Sequence, residues 1–417
     1  MYHTRHIQQK LDELSNYFKV ILVKGARQVG KSTMLKKVFP NLKCIVFDPI
    51  QDLYGARSDP DLFLDNFPAP IILDEIQYAP ELLAALKRRV DESDKKGQYF
   101  LTGSQNLSVM KGIAESLAGR VGILHLENMT LDEMANTVVI DDKLNWLELY
   151  LRTPDQLPSL IVDDPSQEIL YEHLWRGAFP GIMEMKDQFI PDYYSSYLQT
   201  YIERDVRQLE NIKDLNQFSR FVALSAALTA QEINYSQLGR EIGISPATAN
   251  EWLNILNYTF QWREVWPYSG NIIKRISKKS KGYITDTGFA CYLQRISSPT
   301  ALAAHPLLGA LFETWVVNNI SKFSGTIATM PQMYHWRTNG GAEVDLILEF
   351  DGAFYPIEIK CKTTVQARDL TGINSFRTSY PHLKIMPGLL IYAGKTCYKL
   401  PNNIIALPWN AKAVGTA

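Results

Sequence analysis

The stretch Gly25-Ala26-Arg27-Gln28-Val29-Gly30-Lys31-Ser32 constrains the fold more than any other part of the chain. It fits the spacing Gly-x4-Gly-Lys-Ser/Thr, and its surroundings fit as well. Phe18-Lys19-Val20-Ile21-Leu22-Val23 reads as a short buried strand before it, and Ser32-Thr33-Met34-Leu35-Lys36-Lys37-Val38 reads as the first turns of a helix after it. Strand, glycine loop and helix in that order let main-chain N–H groups curl around phosphate oxygens, while the helix N-terminus adds its own unpaired donors. Lys31 then reaches the β- and γ-phosphates, and the Ser32 hydroxyl holds Mg²⁺. The plainer alternative is a glycine-rich turn without a ligand, and the presence of all three elements weighs against it. Residues Gly25 to Thr33 are therefore expected to bind a nucleoside triphosphate.

Apolar runs recur downstream, separated by helical patterns: Cys44-Ile45-Val46-Phe47, Ile71-Ile72-Leu73, Tyr99-Phe100-Leu101 and Val121-Gly122-Ile123-Leu124. Short, wholly apolar strands alternating with helices predict a parallel sheet covered on both faces. The third strand runs into Asp74-Glu75. Ligands of open α/β sheets sit at the carboxyl ends of strands, so Asp74 is expected beside the phosphate loop, supporting Mg²⁺. Glu75 is then placed to orient and deprotonate the attacking water. Helix capping is the alternative for this pair, and a phosphate loop in the same domain favours the catalytic reading.

At 417 residues the chain has room for two or three domains, and 46% hydrophobic with 21% charged residues describes an ordinary globular protein. A formal net charge of −1 argues against a surface that coats nucleic acid or membrane everywhere, without excluding a local basic site. Cys44, Cys291, Cys361 and Cys397 have no paired spacing, so neither a disulfide framework nor a zinc site is indicated. His3 and His6 have ligand spacing but no partner nearby, and read as solvated. No run reaches transmembrane length and the N-terminus lacks a signal-peptide core, which predicts a cytoplasmic protein with no membrane partner.

The fourth strand ends Leu101-Thr102-Gly103-Ser104-Gln105, aiming a polar side chain at the γ-phosphate region. Here the chain resembles the AAA+ ATPases, whose corresponding strand end carries a phosphate sensor. The resemblance assigns that role to Ser104, with Thr102 the less favoured choice. It also makes Arg120, after the helix that follows this strand, a candidate arginine finger reaching into a neighbouring copy of a homo-oligomer, against the alternative of a salt bridge within the chain. Arg27 is a weaker rival for that role.

Pro154, Pro158 and Pro165 mark a linker with one short helix over residues 136–165. Tyr194, Tyr197, Leu198, Tyr201 and Ile202 fall at helical spacing; core packing explains them better than base stacking. Arg204 and Arg207 follow them, and either could sense nucleotide from a lid. Between Ser236 and Leu253 a short helix ends at Gly243, and Ser245 caps a second one with Pro246 in its first position, which is helix-turn-helix spacing. A basic segment, Lys274-Arg275-Ile276-Ser277-Lys278-Lys279-Ser280-Lys281, leads into strand-like Gly282-Tyr283-Ile284. Together these resemble a winged-helix domain with a basic wing. Its second helix offers Thr248 and Asn250 but no Arg or Lys, so DNA contact is expected to come from phosphates along the wing rather than from base edges.

Two further strand-like runs, Tyr334-His335-Trp336-Arg337-Thr338 and Ala342-Glu343-Val344-Asp345-Leu346-Ile347-Leu348, flank the hairpin signal Asn339-Gly340-Gly341. Asp351-Gly352 turns into Phe354-Tyr355-Pro356-Ile357-Glu358-Ile359-Lys360. Period-2 geometry sets Glu358 and Lys360 on one face, and Asp345 on the neighbouring strand can join them. Two carboxylates and a lysine so arranged can bind Mg²⁺ and activate water for phosphodiester hydrolysis. The pattern Asp345…Glu358-Ile359-Lys360 resembles the PD-(D/E)XK nuclease superfamily, and Glu313 matches a helical acidic residue of part of that superfamily. The alternatives are a degenerate nuclease-like fold or a solvated strand face with an ordinary ion pair.

Taken together, the chain resembles prokaryotic AAA-type ATPases that carry a winged helix and a C-terminal nuclease-like domain of unknown function. The resemblance implies an AAA+-type parallel-sheet ATP-binding domain over residues 1–135, a helical linker or lid over 136–215, a winged helix over 216–295, and an α+β PD-(D/E)XK-like domain over 296–417. It implies ATP with Mg²⁺ as cofactors and DNA as a partner. The expected protein is an Mg²⁺-dependent ATPase controlling a nuclease-like region, or a nucleotide-gated switch whose C-terminal fold only binds DNA or protein.

Overall fold

Strand β1 (Val20–Lys24) forms where the apolar run before the glycine loop predicts it, and its Val20, Ile21, Leu22 and Val23 are fully buried. Burying side chains of this size contributes about 1.5–3 kcal/mol each. The computed structural model describes residues 2–103, 116–138, 145–154, 157, 161–162, 166–206, 212, 214–271 and 279–412. The chain falls into two compact units. One comprises Met1–Met129, Glu133–Ile140 and Phe179–Gly181; the other comprises Thr130–Asp132, Asp141–Ala178 and Ile182–Ala417.

In the first unit, helix α1 (Gln8–Ser15) precedes β1, and helix α2 (Lys31–Val38) follows the loop. Strands β2 (Lys43–Val46), β3 (Ile71–Asp74), β4 (Tyr99–Gly103) and β5 (Val121–His125) complete a five-stranded sheet in the order β2-β3-β4-β1-β5. Every pairing is parallel. Helices α3 (Pro60–Asn66) and α4 (Leu82–Glu92) pack their apolar sides into one core with the sheet, centred on Leu22, Leu73, Leu101, Phe63 and Leu86. Because β4 lies between β1 and β3, Lys24, Asp74 and Gly103 come to one edge of the sheet, the edge from which the glycine loop springs.

The second unit begins with helices α5 (Trp146–Arg152), α6 (Gln167–Arg176) and α7 (Ile190–Thr200), the last continuing into a π-helical turn over Tyr201–Val206. Tyr194, Tyr197 and Tyr201 are at most 2% exposed, so they pack in the core rather than present rings for stacking. Helices α8 (Leu215–Ala227), α9 (Tyr235–Ile242) and α10 (Pro246–Tyr258) follow. The turn between α9 and α10 is built as its residues require. Gly243 takes the left-handed conformation that ends α9, and the Ser245 hydroxyl accepts the Thr248 N–H at 3.0 Å to start α10.

Strands β6 (Gln231–Glu232), β7 (Trp262–Pro267) and β8 (Lys281–Ile284) form an antiparallel ribbon beside these helices. Helices α11 (Thr287–Leu293) and α12 (Leu308–Thr326) lead to β9 (Gln332–Arg337), β10 (Glu343–Phe350) and β11 (Ala353–Lys360). Helix α13 (Thr371–Ser379) and strands β12 (Gly388–Tyr392), β13 (Tyr398–Leu400) and β14 (Ile404–Pro408) close the unit. Strands β6 to β14 form one nine-stranded mixed sheet, β13-β14-β12-β11-β10-β9-β7-β8-β6. The ribbon joins the rest where β7 runs parallel to β9, with Trp266 opposite Tyr334 and Pro267 opposite His335. Among the described residues no helix is long and apolar enough to cross a membrane.

Candidate functional site

The glycine loop is held in a shape that only its sequence permits. A Cβ on Gly25 would sit 2.0 Å from the Leu126 carbonyl oxygen, and Gly30 has φ +95° at the start of α2. Between them Gln28 also adopts a left-handed φ of 60°. Lys31 is buried, and its Nζ donates to the Gly25 and Ala26 carbonyls at 2.9 and 2.7 Å, which keeps the ammonium inside the curl of the loop. One residue on, the Ser32 hydroxyl donates to Asp74 Oδ1 at 2.7 Å. The phosphate-loop serine and the carboxylate at the end of β3, 42 positions apart, thus meet as the motif spacing predicts.

Thr102 closes this constellation. Its hydroxyl, fully buried at the end of β4, donates to Asp74 Oδ1 and accepts the Glu75 N–H at 3.0 Å. That second bond pins Glu75 in a left-handed conformation with φ 58° and ψ 47°. The Glu75 carboxylate in turn accepts the Gln77 side-chain amide. Thr102, the less favoured of the two polar residues on this strand, is therefore the one that touches the acidic pair, while Ser104 lies outside the described residues.

Arg5 is a contributor that sequence patterns did not signal. Although only 4% exposed, it reaches the loop from the segment before α1. Its Nη1 donates to Val29 O at 2.8 Å, its Nη2 donates to Glu127 O at 2.7 Å, and its Nε lies 3.0 Å from Glu133 Oε2. A guanidinium so placed braces the loop from behind.

The two candidate fingers are placed differently. Arg120 precedes β5, at the amino edge of the sheet and away from the loop, where it pairs with Asp91 of α4 and donates to the Ala118 carbonyl at 3.0 Å. This is the salt bridge within the chain that was the alternative to a finger. Arg27 Nη2 lies 3.4 Å from the Tyr78 hydroxyl.

A second polar cluster lies in the C-terminal unit. The Asp345 Oδ2 atom accepts the Ile359 N–H at 2.9 Å and lies 3.3 Å from Lys360 Nζ, while Lys360 also pairs with Glu358 Oε1 at 2.6 Å. Asp345, Glu358 and Lys360 therefore share one face, as strand alternation predicts. Glu313, on α12, does not touch Glu358 directly. Between Glu313 and Asp345 stands Lys281 of β8, with Nζ 2.6 Å from Glu313 Oε1 and 3.6 Å from Asp345 Oδ1. The Tyr283 hydroxyl donates to Glu313 Oε1 at 2.8 Å.

Charge and burial oppose each other here. Burial, then the nearby Asp345, pushes the Glu313 carboxyl up to about 7, with Lys281 and Tyr283 pulling it back. Burial and Asp345 raise Glu358 as well, and its Oε2 has no hydrogen-bond partner. Asp345 is held below the usual carboxylate range: Lys281, Lys360 and the Ile359 N–H together overcome its burial. Lys281 is buried and Lys360 half-buried, yet their carboxylate neighbours hold both ammoniums charged. Among the described residues no group of three His, Cys, Asp or Glu side chains closes on a metal-sized centre.

Of the basic segment before Gly282, residues 272–278 lie outside the described residues, as does Arg207; of Arg204 only the backbone is described. Lys281 is buried among carboxylates, so it is not part of a basic surface. A cavity between Trp146, Trp315, Phe323 and Trp409 offers about 30 Å³, above the ~10–15 Å³ that one water needs.

Residues 17–135 match the AAA domain family. Residues 167–300 and 308–411 match two domains of unknown function, DUF8612 and DUF4143. An uncharacterized protein of Mycobacterium tuberculosis and one of Mycobacterium bovis are each 27% identical to the chain over 390 residues, covering 93% of it and 80% of their own length. Among solved structures, the Walker-type ATPase PABY2304 of Pyrococcus abyssi aligns with TM-score 0.41 at 18% identity, over 70% of this chain and 98% of its own. A signal transduction ATPase with a tetratricopeptide repeat sensor from Pyrococcus horikoshii aligns with TM-score 0.26 at 12% identity, over 76% of this chain and 46% of its own. With its loop, its Ser32–Asp74 contact and its parallel sheet, the segment 17–135 is an AAA-type P-loop ATPase domain.

Proposed function

We propose that the chain is an Mg²⁺-dependent ATP hydrolase whose nucleotide state governs its C-terminal unit, and that this unit works on DNA. The observation that carries the ATPase reading is the contact of Ser32 with Asp74 at the carboxyl edge of the sheet. A hydroxyl and a carboxylate in that relation suit Mg²⁺, an oxygen-seeking ion that keeps several waters and takes few protein ligands. When bound, the ion neutralises charge on the transferring phosphoryl group. The chain's own residues do the rest. Backbone N–H groups of residues 25–33 cradle the phosphates, and Lys31 meets the β- and γ-oxygens. Asp74 orients the ion's waters, Thr102 fixes Asp74 and Glu75, and Glu75 accepts the proton of the attacking water. Glu75→Gln is expected to keep ATP binding while ATP turnover falls to background; turnover equal to wild type removes Glu75 from that role.

The DNA reading is supported by the geometry of α8, α9 and α10 with the β6–β8–β7 ribbon, which suits a winged helix, and by the Asp345, Glu358 and Lys360 face, which suits a PD-(D/E)XK-like core. A second reading is favoured by one observation, the Lys281 ammonium set between Glu313 and Asp345. In it the chain is a nucleotide-gated switch or adaptor, and its C-terminal unit binds DNA or protein without cutting. Plasmid incubated with the protein, ATP and Mg²⁺ or Mn²⁺ separates the two. Nicking that Asp345→Ala abolishes supports cleavage, and an intact plasmid supports the switch.

A further inference from the structure

The face that suits hydrolysis of a phosphodiester carries a feature such chemistry does not need. A catalytic divalent ion must be touched by carboxylate oxygens at about 2.0–2.6 Å, in a space it shares only with water and substrate. Here the space between Glu313 and Asp345 is taken by a side chain from β8, a strand of the ribbon that neither carboxylate belongs to. The lysine is fixed from several sides. Its ammonium lies 2.6 Å from one carboxylate and 3.6 Å from the other, and the Tyr283 hydroxyl, two residues along the same strand, donates to the same Glu313 oxygen. Lys281 is 9% exposed and Asp345 3%, so water cannot screen the pair. On the other side, Lys360 fills the gap between Asp345 and Glu358. One polar atom is left over: Glu358 Oε2, buried with no donor, shows that the cluster is not simply a saturated hydrogen-bond network.

We propose that Lys281 is the resident cation of the Glu313–Asp345 pair: the chain's own ammonium takes the place a divalent ion would need, and the wild-type face binds none. Two cations of this kind cannot share the space. The residues present therefore do not fit a catalytic metal, and the contact instead fastens β8 of the ribbon to α12 and β10. This inference rests on the switch reading, and it makes a separate demand: taking away the ammonium while keeping the carboxylates converts the cluster into a site for a divalent ion. Methionine preserves the length and packing of the lysine stem without its charge.

The test is Mn²⁺ binding by electron paramagnetic resonance on the nucleotide-free, full-length protein, with wild type, Asp345→Asn, Lys281→Met and the double variant side by side. Wild type and Asp345→Asn should bind equal amounts. Lys281→Met should bind about one additional ion per chain, and the double variant should lose it. Mn²⁺ uptake by wild type that Asp345→Asn removes overturns the proposal, as does a folded Lys281→Met protein that gains nothing. Should Lys281→Met fail to fold, wild type against Asp345→Asn still decides whether the native face binds metal. Plasmid nicking reports on the switch reading separately, so the two failures are distinguishable.

Discussion

A buried hydroxyl that serves two acidic residues at once is worth more than its size suggests. Thr102 donates to Asp74 and accepts from the Glu75 backbone, so one atom orients the carboxylate beside the phosphate loop and holds Glu75 in a conformation that L residues rarely adopt. Replacing it by valine keeps the β-branched shape and deletes both bonds. Hydrogen bonds to charged groups contribute roughly 1.5–3 kcal/mol, so Thr102→Val should lower kcat about 10- to 150-fold. Nucleotide affinity, which the proposed mechanism assigns mainly to the loop and Lys31, should move far less. Steady-state ATP hydrolysis alongside calorimetric affinity checks this; a kcat within twofold of wild type would leave Thr102 as packing alone. The residue was hard to single out because Thr102 and Ser104 are both small hydroxyls at one strand end. Strand alternation assigns both to one face, and the pairing of β4 with β3, Leu101 opposite Leu73, sets Thr102 level with Asp74.

At the scale of elements, the local patterns that name a strand or a helix boundary were the legible part. The run Val20 to Val23, the left-handed Gly243, the Ser245 cap and the Asp351-Gly352 turn all act through near neighbours, so their outcome is written next to them. Lys281 is the opposite case. In sequence it ends a basic run and reads as part of a wing that contacts DNA phosphates, but it alternates with Tyr283, and both point to Glu313, 30 or more positions away. That long-range placement ties β8 to α12 and has a consequence for stability. Glu313 has an ordinary value of 4.5 and is raised to about 7 in the fold, chiefly by burial. Between those two values the folded state binds more protons than the unfolded one, so this carboxyl makes stability decline as pH rises from 4.5 to about 7, with no further change above. Glu313→Gln should flatten that part of the curve. Urea midpoints measured from pH 4.5 to 8 for both proteins check it; parallel curves would contradict the assignment.

For the molecule as a whole, the nucleotide site belongs to one unit and the acidic face to the other, and the net charge of −1 leaves no general attraction for DNA. Any work on nucleic acid must then come from a local surface. Lys281, which the sequence offered to such a surface, is spent on Glu313 and Asp345 instead. The ATPase domain was legible because its motif binds ligand with backbone and adjacent side chains. The chemistry of the C-terminal unit was less so, because Asp345-x12-Glu358-x-Lys360 specifies a face and not what a distant strand sets into it. The reading of the whole chain depends on the nucleotide. Calorimetric titration of ATP with Mg²⁺ into the purified full-length protein tests it most directly. About one ATP should bind per chain, and Lys31→Ala, folded to the same circular dichroism spectrum, should bind none. A folded wild-type protein that takes up no ATP, or a Lys31→Ala variant that binds as tightly as wild type, would contradict it.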